Sequence, residues 1–249
     1  MKTDLTGKVA LVTGGTGGIG ASIVKQLCQS GAKVATNYRN EEKAKAFQSE
    51  LKDAGYEIGI YAVDVTDTEG CQKMVAQIEA DLGPIDIIVN NAGITQDTTL
   101  RKMTKDQWDS VININLDSLY NICKPIVQGM TERGFGRIIN ISSINGQKGQ
   151  IGQTNYAASK AGMHGFTMAL AQEVARKGVT VNTVSPGYIG TDMVMAVPEE
   201  IRNKIIAQIP VGRLGNPEEI AELVDFICSD SAGFITGADI AANGGQHMM

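Results

Sequence analysis

Short apolar-rich runs alternate with segments of helical spacing along almost the whole chain, and this alternation most narrows what the chain can fold into. The runs lie at residues 9–12, 33–36, 58–63, 85–89, 137–141, 180–184 and 239–241. Several show no in-and-out alternation, as expected of strands covered on both faces. Segments 21–29, 41–54, 71–82, 104–133, 156–177 and 217–229 carry helical spacing between them. Parallel strands need crossovers of that length. The pattern predicts an α/β fold: a doubly wound parallel sheet of about seven strands, helices on both faces and right-handed crossovers.

No Pro- or Ser-rich linker interrupts the 249 residues, so 1–249 reads as one domain. Residues 188–213 break the alternation, with Pro198, Pro210 and no clean strand. An excursion beyond the carboxyl end of a parallel strand overhangs the ligand crevice, and we expect a substrate lid there.

The 22 basic and 27 acidic residues give a formal charge of −5, the wrong sign for a nucleic-acid partner. Cys28, Cys71, Cys123 and Cys228 lie far apart, with only His164 and His247 to join them, so no metal site is expected. Scattered cysteines suit buried packing in a reducing compartment. No stretch reaches the ~20 apolar residues of a membrane helix, and the first eight residues lack an apolar signal region. The expected setting is the cytoplasm, without a membrane partner.

Between the first strand and first helix runs Thr13-Gly14-Gly15-Thr16-Gly17-Gly18-Ile19-Gly20. Glycines there let backbone amides approach a pyrophosphate at a helix N-terminus, so a dinucleotide is the expected ligand of a Rossmann-type sheet. A tight strand-to-helix turn also favours glycine. The second strand ends Asn37-Tyr38-Arg39-Asn40, with no carboxylate before Glu41. An acidic residue there would bond the ribose of NAD, whereas Arg39 suits a 2′-phosphate, which favours NADP(H). The plainer reading of Arg39 is a solvated surface residue. Asp64 either accepts from the adenine amino group or caps the next helix.

Tyr156-Ala157-Ala158-Ser159-Lys160 opens a helix. Four residues bring Tyr156 and Lys160 to one face, about 40° apart around the axis and about 6 Å along it. Moving a phenol from about 10 to neutrality needs roughly 4 kcal/mol, which an ammonium at about 4 Å can supply. Ser143 follows a strand and emerges at the sheet's carboxyl edge, with Ser142 as its rival.

Thr13-Gly14-x-x-x-Gly18-x-Gly20, Asn90-Asn91-Ala92-Gly93, Asn115, Ser143, Tyr156-x-x-x-Lys160 and Ser185-Pro186-Gly187 occur in this order over nearly the whole chain. Together they resemble the short-chain dehydrogenase/reductase family. That resemblance implies Tyr156 as proton donor, Lys160 as the group that lowers its pKa and bonds the nicotinamide ribose, Ser143 as the carbonyl polariser, and Asn115 as support for a proton-relay water. Gly14, Gly15, Thr16, Gly17, Gly18, Ile19 and Gly20 would hold the phosphates; Asn91, Ala92 and Gly93 would line the cleft; Pro186, Gly187, Ile189 and Thr191 would border the nicotinamide. Gly17 stands where many NADP-dependent members carry a basic residue, which leaves Arg39 to hold the phosphate largely alone.

The loop between Ser143 and Tyr156 is rich in amides and poor in large apolar groups, which suits a polar thioester better than a steroid. Gln150, Gln153 and Tyr188 are the candidate substrate contacts. The loop, Ser185-Pro186-Gly187-Tyr188 and the chain's closing residues resemble the branch that reduces acetoacetyl-CoA for polyhydroxyalkanoate synthesis. That implies NADPH, an acyl-CoA thioester, a (3R)-hydroxy product and a homotetramer. The nearest alternative is the same chemistry on an acyl carrier protein; a different class is a non-catalytic NADP-sensing module. His164 falls about 12 Å beyond Tyr156 along the helix and about 80° around it, and is expected to be a packing residue.

Overall fold

The computed structural model describes residues 3–248. Its seven strands are β1 (Val9–Val12), β2 (Lys33–Tyr38), β3 (Ile58–Ala62), β4 (Ile87–Asn90), β5 (Gly136–Ile141), β6 (Val179–Pro186) and β7 (Asp239–Ala242). They form one parallel sheet in the order β3-β2-β1-β4-β5-β6-β7. The helices are α1 (Gly18–Gln29), α2 (Glu41–Asp53), α3 (Thr68–Leu82), α4 (Lys105–Ile112), α5 (Ser118–Arg133), α6 (Ile144–Lys148), α7 (Thr154–Val174), α8 (Asp192–Met195), α9 (Glu199–Ile206) and α10 (Pro217–Cys228).

Successive strand residues point to opposite faces, and the two halves of the core divide accordingly. Ala10, Val12, Ile87, Val89 and Ile139 pack with Val24, Leu27, Phe47, Leu51 and Val224 of α1, α2 and α10. Leu11, Ile88 and Ile138 pack with Met74, Ile78, Ile122, Ile126 and Val174 of α3, α5 and α7. Each fully buried Leu or Ile stabilises by roughly 1.5–3 kcal/mol. The sheet therefore needs no polar outer face, and its strands read as apolar runs.

Two departures from the expected elements bear on function. The expected helix over 104–133 is divided by a π-helical turn, Asn113–Asp117, between α4 and α5. Asn115 secures the break: its Nδ2 donates to the Ile94 carbonyl and the Ser159 hydroxyl, and its Oδ1 accepts from the Ile94 N–H. The segment expected as loop after Ser143 contains α6, whose N-cap is Ser143 itself.

A buried polar ladder sets the register of α7. Asn90 Nδ2 donates to Asn140 Oδ1, Asn140 Nδ2 donates to the Thr167 hydroxyl, and Thr167 pairs with Thr183, each at 2.8 Å. Buried polar groups impose a specific alignment because an unpaired one costs about 1–3 kcal/mol. Residues 188–213 hold α8 and α9, and their two feet are pinned together: the Gly190 N–H donates to the Gly215 carbonyl and the Gly215 N–H to the Tyr188 carbonyl.

Candidate active site

β1 and β4 lie side by side where the strand order reverses, so a crevice opens at their carboxyl ends. The turn after β1 is built by cross-strand bonds. Thr13 Oγ1 accepts from the Asn91 and Ala92 N–H groups, and Asn91 Nδ2 donates to the carbonyls of Thr13 and Gly14. The Gly14 N–H donates to Asn37 Oδ1 and the Gly15 N–H to Thr36 Oγ1. Gly14 and Gly18 adopt left-handed backbone, at φ 65° and 53°, where side chains are disfavoured.

A cavity of about 520 Å³ follows this turn, lined by Gly14, Thr16, Gly17, Gly18, Ile19, Arg39, Asp64, Asn91, Ala92, Gly93 and Thr191. No side chain caps the N-terminus of α1, so the N–H groups of its first turn remain available to an anion. That open helix end fits the pyrophosphate of a dinucleotide. Gly20 stands behind the lining, with a different need for glycine. A Cβ there would lie 2.4 Å from the Gly14 carbonyl oxygen and 2.5 Å from Asn91 Nδ2. Gly20→Ala is expected to destabilise the fold by about 1–3 kcal/mol and to weaken nucleotide binding at least tenfold, measured by thermal melting and fluorescence titration.

Arg39 follows β2 directly, and its Nη1 lies 3.7 Å from Asp64 Oδ2, both side chains being exposed to solvent. Asp64 does not cap α3; Asp67 does. Burial opposes the charge of Asp64, but bonds from the Thr66 N–H and hydroxyl, with Arg39 nearby, hold its carboxyl below the ordinary range.

Beside the groove, and sharing Ile19 and Thr191 with it, opens a smaller cavity of about 160 Å³ lined by Ser143, Asn145, Gln153, Tyr156, Gly187, Tyr188 and Ile189 among others. The Ser143 hydroxyl oxygen accepts from the Asn145 N–H at 3.1 Å. Its own hydrogen is thereby left for a second acceptor. Lys160 is buried, and its Nζ donates to the Ile141 carbonyl at 2.7 Å while lying 5.6 Å from the centre of the Tyr156 ring.

The expected lowering of the phenol by Lys160 is not what governs it in the free protein. Burial pushes the Tyr156 phenol up, with the Ser143 hydroxyl pulling the other way and Asp97 adding to the rise. Burial also pushes the Lys160 ammonium down to about 7. The reason is geometric: Nζ bonds the end of β5 rather than the phenol oxygen. Tyr156 therefore stays protonated through neutral pH, the form that can give a proton away.

Gly15, Gly20, Pro186, Asn115 and Lys160 are buried and line neither cavity, and Gln150 is exposed and lines neither. Gln153 reaches the pocket with its amide engaged at both ends: Oε1 accepts from Asn145 Nδ2, and Nε2 donates to Asp97 Oδ2. Asn145 and Asp97 were not foreseen from the sequence. Asn145 could have been, since it stands two residues beyond Ser143; Asp97 sits in an irregular segment and carries no such signal.

A nucleotide groove that opens into a pocket holding a protonated phenol is the working arrangement of a Rossmann-type oxidoreductase. Comparison with known proteins narrows the class. The sequence profile described as enoyl-(acyl carrier protein) reductase matches residues 14–247. The acetoacetyl-CoA reductase of Shinella zoogloeoides is 59% identical over 241 residues, 96% of this chain and 98% of the relative. The acetoacetyl-CoA reductase of Cupriavidus necator is 50% identical over 245 residues, 98% and 100% of the two chains. The 3-oxoacyl-[acyl-carrier-protein] reductase of Pseudomonas aeruginosa is 47% identical over 245 residues, 98% and 99%. The chain belongs to the short-chain dehydrogenase/reductase family, whose fold and chemistry call for a nicotinamide cofactor.

Proposed function

We propose that this chain is a single-domain, NADPH-dependent 3-oxoacyl thioester reductase that converts acetoacetyl-CoA to (3R)-3-hydroxybutanoyl-CoA for polyhydroxyalkanoate synthesis. The observation that carries this reading is that Ser143 and Tyr156 line one small pocket adjoining the nucleotide groove, with Lys160 buried behind them, its Nζ 5.6 Å from the centre of the Tyr156 ring. The names of the relatives at 50–59% identity support the choice of substrate.

When bound, NADPH supplies the hydride that adds to the 3-keto carbon. Ser143, held as an acceptor by the Asn145 N–H, donates its hydrogen to the keto oxygen and fixes its direction. Tyr156 gives that oxygen its proton. Lys160 would hold the cofactor ribose, and its ammonium would offset the charge left on the Tyr156 ring 5.6 Å away, while Asn115 secures the π-helical turn through its bonds to Ile94 and Ser159. Asn91 to Gly93, Gly187, Ile189 and Thr191 would bound the nicotinamide and exclude water, Tyr188 and Gln153 would flank the thioester, and residues 188–213 would close over it.

Acetoacetyl-CoA is preferred to a carrier-bound substrate because the basic patch an acidic carrier would need is depleted. Arg133 donates to the Ile85 carbonyl at 2.6 Å and lies 3.7 Å from Asp86, leaving Arg176 and Lys177. Tyr120 on α5 and Met168 on α7 are 58% and 52% exposed, which supports burial against other copies in a homotetramer. We place the enzyme in the cytoplasm; among the described residues no helix is long and apolar enough to cross a membrane. The test is NADPH oxidation with acetoacetyl-CoA, longer 3-oxoacyl-CoAs and the carrier-bound equivalent at matched concentrations. Higher kcat/KM on acetoacetyl-CoA is expected, and a large preference for the carrier-bound form overturns the assignment.

Arg39 is the residue expected to select NADPH. Arg39→Asp should lower kcat/KM for NADPH by ten- to a hundredfold, as loss of a charge-assisted pair of about 1.5–3 kcal/mol implies, with little loss or a gain for NADH. Equal effects on both cofactors would remove Arg39 from phosphate recognition.

A further inference from the structure

His164 is not the packing residue its helical position suggests. Its Nε2 lies 3.0 Å from the Ser142 hydroxyl, 3.3 Å from Asp239 Oδ2 and 3.5 Å from the Ser185 hydroxyl. Around it the donors are assigned by their partners. The Ser142 hydroxyl donates to the Lys160 carbonyl at 2.9 Å. Asp239 accepts from Ser185 Oγ at 2.6 Å through Oδ1 and from Gln147 Nε2 at 2.8 Å through Oδ2. A carboxylate only accepts. Nε2 therefore carries a hydrogen, shared between Asp239 and the Ser142 oxygen.

This is not a hydrolase triad, in which serine and carboxylate address different ring nitrogens; here both address Nε2. What the cluster joins is more informative. Ser142 immediately precedes Ser143, Lys160 supplies the carbonyl, Ser185 leads into Pro186 and Gly187, Gln147 belongs to α6, and Asp239 opens β7. Three segments, the turn after β5, β6 and β7, meet the imidazole directly through Ser142, Ser185 and Asp239, and α6 and the Lys160 carbonyl join through Asp239 and Ser142.

We propose that His164 is a positioning residue for the reduction: its Nε2–H holds the turn bearing Ser143 against α7 and ties the start of β7 to the same point. The inference rests on the reductase reading. His164 does not touch the reacting atoms and acts through Ser142 and the Lys160 carbonyl. Sub-ångström misplacement of a hydroxyl that must meet a carbonyl oxygen is costly to rate, because general-acid and electrostatic contributions depend on alignment.

The test separates the hydrogen bond from the packing. His164→Gln keeps an N–H donor at similar reach, and His164→Leu keeps bulk without it. Expected are kcat within about twofold of wild type for His164→Gln and a fall of about tenfold for His164→Leu, with unchanged KM and fluorescence Kd for NADPH in both. Amide exchange over residues 142–146 should quicken only in the Leu variant. Wild-type kcat and exchange in His164→Leu, or equal loss in both variants, overturns the proposal. If His164→Leu does not fold, Ser142→Ala replaces it: lowered kcat with unchanged NADPH affinity and faster exchange is expected, and wild-type behaviour overturns. If the wild type reduces neither thioester, the functional reading fails, and the exchange comparison still decides whether His164 holds the turn.

Discussion

Tyr156→Phe is expected to lower kcat on acetoacetyl-CoA by 10²–10⁴-fold, the usual worth of a positioned general acid, while the Kd for NADPH stays within about twofold. The exchange removes one oxygen from a half-buried ring and leaves the helix intact. Ser143 keeps its bond from the Asn145 N–H, so the carbonyl still has one donor. A residual rate is therefore expected, from hydride transfer with water as the proton source. Because burial raises the Tyr156 phenol, the wild-type enzyme loses no donor through neutral pH. Measured by single-turnover NADPH oxidation, a loss smaller than tenfold would mean that the proton comes from elsewhere.

The sheet was legible because burial on both faces imposes its own composition. Strands such as Val9–Val12 and Ile87–Asn90 are buried throughout and carry apolar residues at consecutive positions, whereas a half-buried strand alternates. The Tyr156 and Lys160 pair was legible because helical geometry is rigid enough to read spacing as direction. What the sequence concealed lies where tertiary bonds override local preference. The π turn at Asn113–Asp117 carries Asn115, whose bonds reach Ile94 and Ser159, 21 and 44 residues away. His164 looked like packing because its partners Ser142 and Asp239 arrive from the turn after β5 and from β7, far away in sequence. The state of Lys160 depends on burial, and spacing says nothing about burial.

That burial gives the second large effect. Lys160→Met should abolish most turnover, by 10² or more, yet leave a protein that melts at a higher temperature at pH 6 than the wild type. The sign follows from proton binding. Folding lowers the Lys160 ammonium from 10.5 to about 7, so between these values the unfolded chain holds more protons and wild-type stability rises with pH. Below 7 the full penalty is present, on the order of 5 kcal/mol for a shift of this size, offset in part by the bond to the Ile141 carbonyl that methionine cannot make. Methionine fills the space without charge beside Met163 and removes the slope. The Tm advantage of Lys160→Met should therefore be several degrees at pH 6 and should shrink by pH 8.5; the buried thiols, at 9.0 in the unfolded chain, titrate alike in both proteins and drop out of the difference. A variant less stable than wild type at both pH values would show that the ammonium is well solvated by its surroundings. A higher melting temperature with lost turnover would identify Lys160 as a charge kept in an unfavourable place for the sake of the reaction.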